Sequence, residues 1–278
     1  MTRRLVLLTG DGPEHRYVAN RLASELPLSR IVVDVASRPP SLRRAFRAGV
    51  GSGVSRVGLE LFRRAVGDRD AAAEATRRVL GEELTGDFPS GAQVVRVQGV
   101  NSGEALTAVA VLRPHALLVY GTSIVGDRML GLARESAFNM HTGISPFYRG
   151  TQCAFWPVAN GEPELIGATV HECTAATDGG QIFAVGAAGW DEADGLHELF
   201  GRAVVKGADL YVDTVRRYLD GSLEGAAQDL SVGREYRGYE RTLGPELRAR
   251  WALRRGLLER KNAAASSVSS PTNAFGNG

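Results

Sequence analysis

The sequence predicts an α/β fold: a Rossmann-like, mostly parallel, twisted sheet flanked by helices. Three observations predict it. Short continuous apolar runs recur, RLVLLTG (Arg4 to Gly10), RIVVDVA (Arg30 to Ala36) and HALLVYG (His115 to Gly121), and two of them end at glycine. Such runs mark strands covered on both faces. Segments of helical spacing alternate with them, beginning with YVANRLASEL (Tyr17 to Leu26). The chain has 278 residues, enough for one large domain or one domain with an extension.

The remaining elements follow in order. Residues 41–84 are rich in Arg and Ala and read as one or two helices, broken at GVGSG (Gly49 to Gly53). AQVVRVQGV (Ala92 to Val100) returns to strand. NSGEALTAVAVLRP (Asn101 to Pro114) is a helix with Asn101 or Ser102 as its N-cap and Glu104 in its first turn. ESAFNMH (Glu135 to His141) is a strand, and TQCAFWPVANG (Thr151 to Gly161) a helix with Pro157 near a kink or an end. IGATVHECT (Ile166 to Thr174) and QIFAVGAAG (Gln181 to Gly189) read as strands, antiparallel at the sheet edge. Residues 193–221 and 246–260 are amphipathic helices, and 262–278, without periodicity, reads as a disordered tail. The expected organisation is a catalytic domain over 1–190 with a helical insertion at 41–84, then a helical extension over 191–261.

Composition narrows the function classes. With 44% hydrophobic and 23% charged residues the chain is of ordinary globular type. A net charge of +2 implies no global attraction to nucleic acid or membrane. Acids interleave with the bases of both Arg-rich helices, so solvated faces are expected there rather than a nucleic-acid surface. No apolar run reaches the ~20 residues that span a bilayer, and the N-terminus lacks a signal-peptide pattern, so a cytoplasmic protein is expected. Cys153 and Cys173 have no metal-ligand spacing and read as free thiols; no metal site is expected.

Few residues carry chemistry. Gly10 and Gly12 follow the first strand, but His15 stands where a dinucleotide fingerprint needs its third glycine. A turn holding a substrate anion at the helix N-terminus is the better reading. His15, His115 and His197 show no partner pattern. The stretch FNMHTGISPFYRG (Phe138 to Gly150) is different. Asn139 and His141 alternate with Phe138 and Met140, so both polar side chains share one face at a strand's carboxyl end, where parallel-sheet enzymes keep their chemistry. Asp178, flanked by Gly179 and Gly180, lies in a loop between two later strands. Asn can donate to an oxyanion, His can donate or shuttle a proton, and Asp can orient the His or take a proton from a nucleophile.

The segment from Phe138 to Ile182 resembles the core of the folate-dependent formyltransferases, the family of glycinamide ribonucleotide transformylase, methionyl-tRNA formyltransferase and the sugar N-formyltransferases. The resemblance rests on Asn139 and His141, the turn Pro146 to Gly150, Gly167 to Val170, and Asp178 with Ile182, in that order. It implies the formyltransferase fold, 10-formyltetrahydrofolate as formyl donor, and Asn139, His141 and Asp178 as catalytic residues. It further implies that Tyr120, Gly121, Thr122, Ser123, Ile124, Thr177 and Gly179 meet the folate, and that Gly10, Gly12, Thr142, Gly143, Tyr148, Arg149 and Gly150 meet the acceptor. The loop Thr142 to Ser145 departs from the family pattern. The implied acceptor is a small-molecule primary amine, an amino sugar or nucleotide sugar of specialised metabolism. Alternatives are formimidoyl transfer to an aminoglycoside-type amine, glycinamide ribonucleotide, or an idle folate-binding scaffold. A helical C-terminal third argues against tRNA. Novelty at 41–84 falls on the acceptor side or at a subunit interface, the latter implying a homodimer. His171 reads as a strand residue rather than a fourth catalyst.

Overall fold

The computed structural model describes residues 3–36, 50–174 and 178–268. Five parallel strands form most of one sheet: β1 (Leu5–Thr9), β2 (Leu28–Asp34), β3 (Gln93–Val97), β4 (Ala116–Tyr120) and β5 (Ser136–His141). Then β7 (Gly167–Glu172) and β8 (Ile182–Ala187) add antiparallel, in the order β3-β2-β1-β4-β5-β7-β8. Every residue of β1 and β4 is buried, as their unbroken apolar runs require. Two core layers cover the sheet. Val6, Leu8, Leu117 and Val119 meet Ala105, Val109 and Met129 on one face. Leu5, Leu7, Phe138, Met140 and Val170 meet Val204, Ala208 and Tyr211 of the long helix α8 (Leu196–Asp220) on the other.

Helix α8 therefore belongs to the main core. Its amphipathicity does not say which surface it covers, so an extension from 191 is what the sequence predicts, and the packing against the sheet corrects this. Tyr211, fully buried, ties it down: its hydroxyl accepts from the Val119 N–H (2.7 Å) and donates to the Phe138 carbonyl (2.8 Å), bridging β4 and β5.

Other helices differ from expectation in their breaks. In the inserted stretch, α2 (Val50–Ala65) runs through Gly51 and Gly53, and the chain turns instead at Gly67 (φ +66°) before α3 (Asp68–Leu80) and the single turn α4 (Glu82–Thr85). Residues 41–49 lie outside the described residues. Ser102 is the N-cap of α5 (Gly103–Ala110), its hydroxyl accepting from the Ala105 N–H. A further single turn, α6 (Asp127–Leu130), precedes β5. Helix α7 (Trp156–Asn160) is short, with Pro157 in its first turn, where no N–H is needed. The last basic segment is two helices, α9 (Leu243–Arg254) and α10 (Leu257–Val268), separated at Gly256 (φ +69°). Helix α10 runs past Lys261, where the tail was expected to start; residues 269–278 lie outside the described residues.

Most bases of these helices are exposed, but Arg63 and Arg250 turn inward and are joined by Arg241, just ahead of α9. Arg63, Arg241 and Arg250 converge on Glu246, which is fully buried, at 3.2, 2.8 and 2.8 Å. A second sheet escaped the sequence reading. It pairs β6 (Tyr148–Gly150) in parallel with β9 (Arg234–Tyr236), 84 residues apart at their closest. Strands of three residues leave no periodicity to detect. Among the described residues, no helix is long and apolar enough to cross a membrane.

Candidate active site

Asn139 and His141 end β5, with Phe138 and Met140 turned the opposite way into the core. The antiparallel neighbour β7 places His171 directly across from Asn139 and Thr169 across from His141. On β7 it is Val170 that faces the core, so His171 and Thr169 share the face of Asn139 and His141. The loop after β7 brings Asp178 to the same point with φ +47°, a left-handed conformation that Asp tolerates better than most side chains.

The four polar side chains form one cluster. Asp178 Oδ2 lies 3.5 Å from His141 Nδ1, and Oδ1 lies 3.3 Å from His171 Nε2. The Gly150 N–H donates to Asp178 Oδ2 at 2.7 Å. Burial would raise the carboxyl's pKa, but the facing His141 ring, His171 and the Gly150 N–H outweigh it and hold Asp178 well below the usual carboxylate range. His141 Nε2 is 3.0 Å from the Tyr148 carbonyl, which can only accept, so that nitrogen carries a proton and Nδ1 faces the carboxylate. His171 Nδ1 likewise donates to the Glu172 carbonyl (2.8 Å). Asn139 Nδ2 lies 3.0 Å from His171 Nε2. A neutral His171 accepts one Asn139 N–H and leaves the second for a ligand; a charged His171 turns its Nε2–H to Asp178 and releases both. His171 is thus a member of the cluster, not only a strand residue. Its signal is the antiparallel register, which alternation along one strand does not fix.

The cluster floors a cleft of about 840 Å³, within the usual range for small-molecule sites. Tyr120, Gly121, Thr122, Ser123 and Ile124 line one wall, with Val119 and Val125. That wall is fastened from behind: Ser123 donates to Asp34 (3.0 Å), and the Asn101 side chain donates to the Ile124 carbonyl and accepts from the Gly126 N–H. Ile124 is 82% exposed, an apolar side chain held open at the mouth. The opposite wall is Glu235 to Tyr239, with Thr151 and Gln152. No sequence motif marks these residues.

The acceptor residues inferred from sequence divide. Thr142 and Gly150 line the cleft. Gly143 packs tightly against Cys153 and His141 beneath it, and the Gly143 carbonyl accepts from Thr169 Oγ1 (2.7 Å). Tyr148 is buried; its phenol donates to Glu162 and its ring stacks on Tyr236 (5.5 Å). Arg149 Nε and Nη2 donate to the Pro146 and Leu230 carbonyls (both 3.2 Å). Gly10 and Gly12, in the turn before helix α1 (Pro13–Glu25), are covered by a side chain. His15 fills the space a Cβ would take at Gly10, and its Nδ1 accepts the Gly12 N–H (3.0 Å). At the same turn Asp11 pairs with Arg16 (3.0 Å) and Glu14 lies 3.3 Å from the His15 ring. Gly179 does not line the cleft, and Thr177 lies outside the described residues. Cys173 lies in the cleft wall, but burial and then Asp178 push its thiol up to about 11, so it is not a thiolate. Among the described residues no group of His, Cys and acids is arranged to hold a metal ion.

No family model matches the chain. In sequence it is 28% identical over 183 residues to the methionyl-tRNA formyltransferase of Mycobacterium ulcerans, covering 63% of this chain and 55% of that one. In structure it matches a sugar N-formyltransferase from Shewanella with a TM-score of 0.54 at 13% identity, covering 88% of this chain and 86% of that one. The fold is that of the solved sugar N-formyltransferases, and in sequence the chain is similar to methionyl-tRNA formyltransferases. Another match is a sugar 3N-formyl transferase solved in the presence of dTDP and 5-N-formyl-THF (TM-score 0.52, 11% identity, 86% of this chain and 72% of that one). The chain spans about half the length of the curated formyltransferases it matches.

Proposed function

We propose that the protein transfers a formyl group from 10-formyltetrahydrofolate to a primary amine of an amino sugar or nucleotide sugar in specialised metabolism. The observation that carries this reading is the Asn139, His141, His171 and Asp178 cluster at the floor of a cleft whose opposite rim offers the Gly121 to Val125 backbone. The residues suit a folate: apolar Tyr120, Ile124 and Val125 can cover a flat ring, and the loop backbone supplies hydrogen-bonding groups. When bound, the folate supplies an activated formyl carbon.

The chain's own contribution follows from the geometry. Asn139 donates an N–H to the formyl oxygen as the amine adds and that oxygen gains charge. His141, fixed by its Nε2–H on the Tyr148 carbonyl, keeps Nδ1 beside Asp178 as the ring nitrogen that can exchange a proton with the site. Asp178, facing that ring and held by the Gly150 N–H, is the carboxylate placed to take, directly or through water, the proton the amine loses. The proton then returns to the departing folate nitrogen as the new C–N bond is retained and the old one breaks.

Incubation with 10-formyltetrahydrofolate and a panel of amines, following absorbance as tetrahydrofolate forms, tests this. Amine-dependent turnover with amino sugars or nucleotide-linked amino sugars is expected. Turnover with glycinamide ribonucleotide alone would move the acceptor to that reading, and absence of folate binding by calorimetry would remove the enzyme reading altogether. The occupied turn at Gly12 speaks against any acceptor that needs an anion site at that helix.

A further inference from the structure

Between α8 and α9 the chain is irregular apart from the three residues of β9, yet it reaches both loops that hold Asp178. Ala226 pairs antiparallel with Ile182, each N–H donating to the other's carbonyl at 2.8 Å. Two residues on, Gln228 Nε2 donates to the Asp178 carbonyl (2.9 Å) and to the Gly180 carbonyl. Both acceptors are carbonyl oxygens, so only the amide nitrogen of Gln228 can face them. The amide thereby closes the turn in which Asp178 adopts its positive φ.

The same segment then fixes the other side of the carboxylate. Gly233 (φ +73°) lies so close to Phe147 that a Cβ would come within 2.3 Å of its Cα. The Arg234 N–H donates to the Phe147 carbonyl (2.9 Å) and the Thr151 N–H to the Tyr236 carbonyl (2.8 Å). A Cβ on Gly150 would meet the Tyr236 carbonyl oxygen at 2.2 Å, so β9 sets where the Gly150 backbone lies. Gly150 is the residue whose N–H holds Asp178 Oδ2.

We propose that residues 226–236 are a strap that positions Asp178, gripping its backbone through Gln228 and its carboxylate through the β9-seated Gly150, with Gln228 the positioning residue. This rests on the reading of Asp178 as the site's carboxylate. Without the Gln228 amide the left-handed turn relaxes, and the carboxylate drifts from Gly150 and from both imidazoles. The strap explains why the residues that follow it, Arg237 to Tyr239, can line the cleft although they lie about 60 residues beyond Asp178.

Amide hydrogen exchange on the full chain tests it, since this needs no turnover. Gln228→Met keeps the side chain's length and removes its donors; Gln228→Ala is the second variant should the first fold poorly. Exchange at Gly150 should accelerate about tenfold, with Leu7 and Val119 in the sheet unchanged. Ser231→Ala, in the strap but away from Asp178, should leave Gly150 unchanged. With folate and amine present, kcat should fall about tenfold at constant KM. Wild-type exchange at Gly150 in a folded variant overturns the proposal, as does equal acceleration throughout the sheet or in Ser231→Ala. A wild-type protein that moves no formyl group, but whose Gly150 responds as expected, loses the transfer reading and keeps the strap. An active wild type with an unresponsive Gly150 loses the strap alone.

Discussion

The floor of the cleft and the strap beside it hold the same carboxylate by different means. On the floor, Asn139, His141 and His171 occupy consecutive inward positions of two paired strands, so sheet geometry places all three at once. In the strap, position comes from single interactions: the Gln228 amide, two glycines that admit no Cβ, and Tyr236 stacked on Trp156 (4.5 Å) and Tyr148. The floor is redundant in its backbone and irreplaceable in its side chains. The strap is the reverse, which predicts that floor substitutions damage chemistry while strap substitutions damage placement or stability.

The largest effect should come from the group both regions hold. Asp178→Asn removes the charge between two imidazoles while keeping the shape, and turnover should drop roughly 1000-fold, within the span for loss of a general base. Asn139→Ala should follow at about 100- to 1000-fold, as for other lost oxyanion donors. Asn139→Ala should melt near the wild type, since it does not empty the core, whereas Asp178→Asn also gives up the stability its charge adds to the fold. Steady-state tetrahydrofolate release with one amine acceptor measures both. If Gln228→Met proved more damaging than Asp178→Asn, the division between floor and strap would be wrong.

What the sequence revealed follows the same division. Phe138 and Met140 alternate with Asn139 and His141, so the inward face of β5 could be read directly, and the apolar runs of β1, β2 and β4 announced the parallel sheet. His171 was undervalued because its place depends on the register between β5 and β7. The Gly10 to Gly12 turn looked open to an anion because nothing in a linear reading shows His15 folding back over it. The helix breaks went to the wrong glycines: Gly51 and Gly53 are absorbed into a helix, while Gly67 and Gly256, both at positive φ, end one. Glycine permits a turn; packing decides where it falls. The strap was invisible since its pairing spans more than 80 residues with no pattern in either partner.

Tyr236 tests the strap's stability rather than its precision. The residue is buried; its ring stacks on two neighbours, and its hydroxyl accepts from Asn160 Nδ2 at 2.9 Å. Tyr236→Ala should cost about 3 kcal/mol, as for other large buried aromatics, and Tyr236→Phe about 1 kcal/mol for the hydrogen bond. Urea denaturation followed by tryptophan fluorescence, with Trp156 in the stack as a local reporter, measures both. Equal losses in the two variants would mean that the hydroxyl, not the stack, anchors β9.

The smallest effect is a pH dependence, and its sign separates the two grips on Asp178. The folded carboxyl is held below its ordinary value by His141, His171 and the Gly150 N–H, so its ionised form favours the folded state. That stability is present in full above the unfolded carboxyl's pKa, near 4, and is lost as pH falls toward the folded value. Asp178→Asn cannot gain this increment, so its unfolding midpoint should differ from the wild type by a constant amount above about pH 5 and begin to approach it only below about pH 4. Gln228→Met should lie between the two, because a loosened carboxylate keeps its charge but part of its contacts, and its folded pKa moves back up toward the unfolded one. Urea midpoints measured from pH 2 to 7 give the three curves. A Gln228→Met curve parallel to the wild type would assign the depression of Asp178 to the floor alone, and leave the strap holding backbone that the carboxylate does not need.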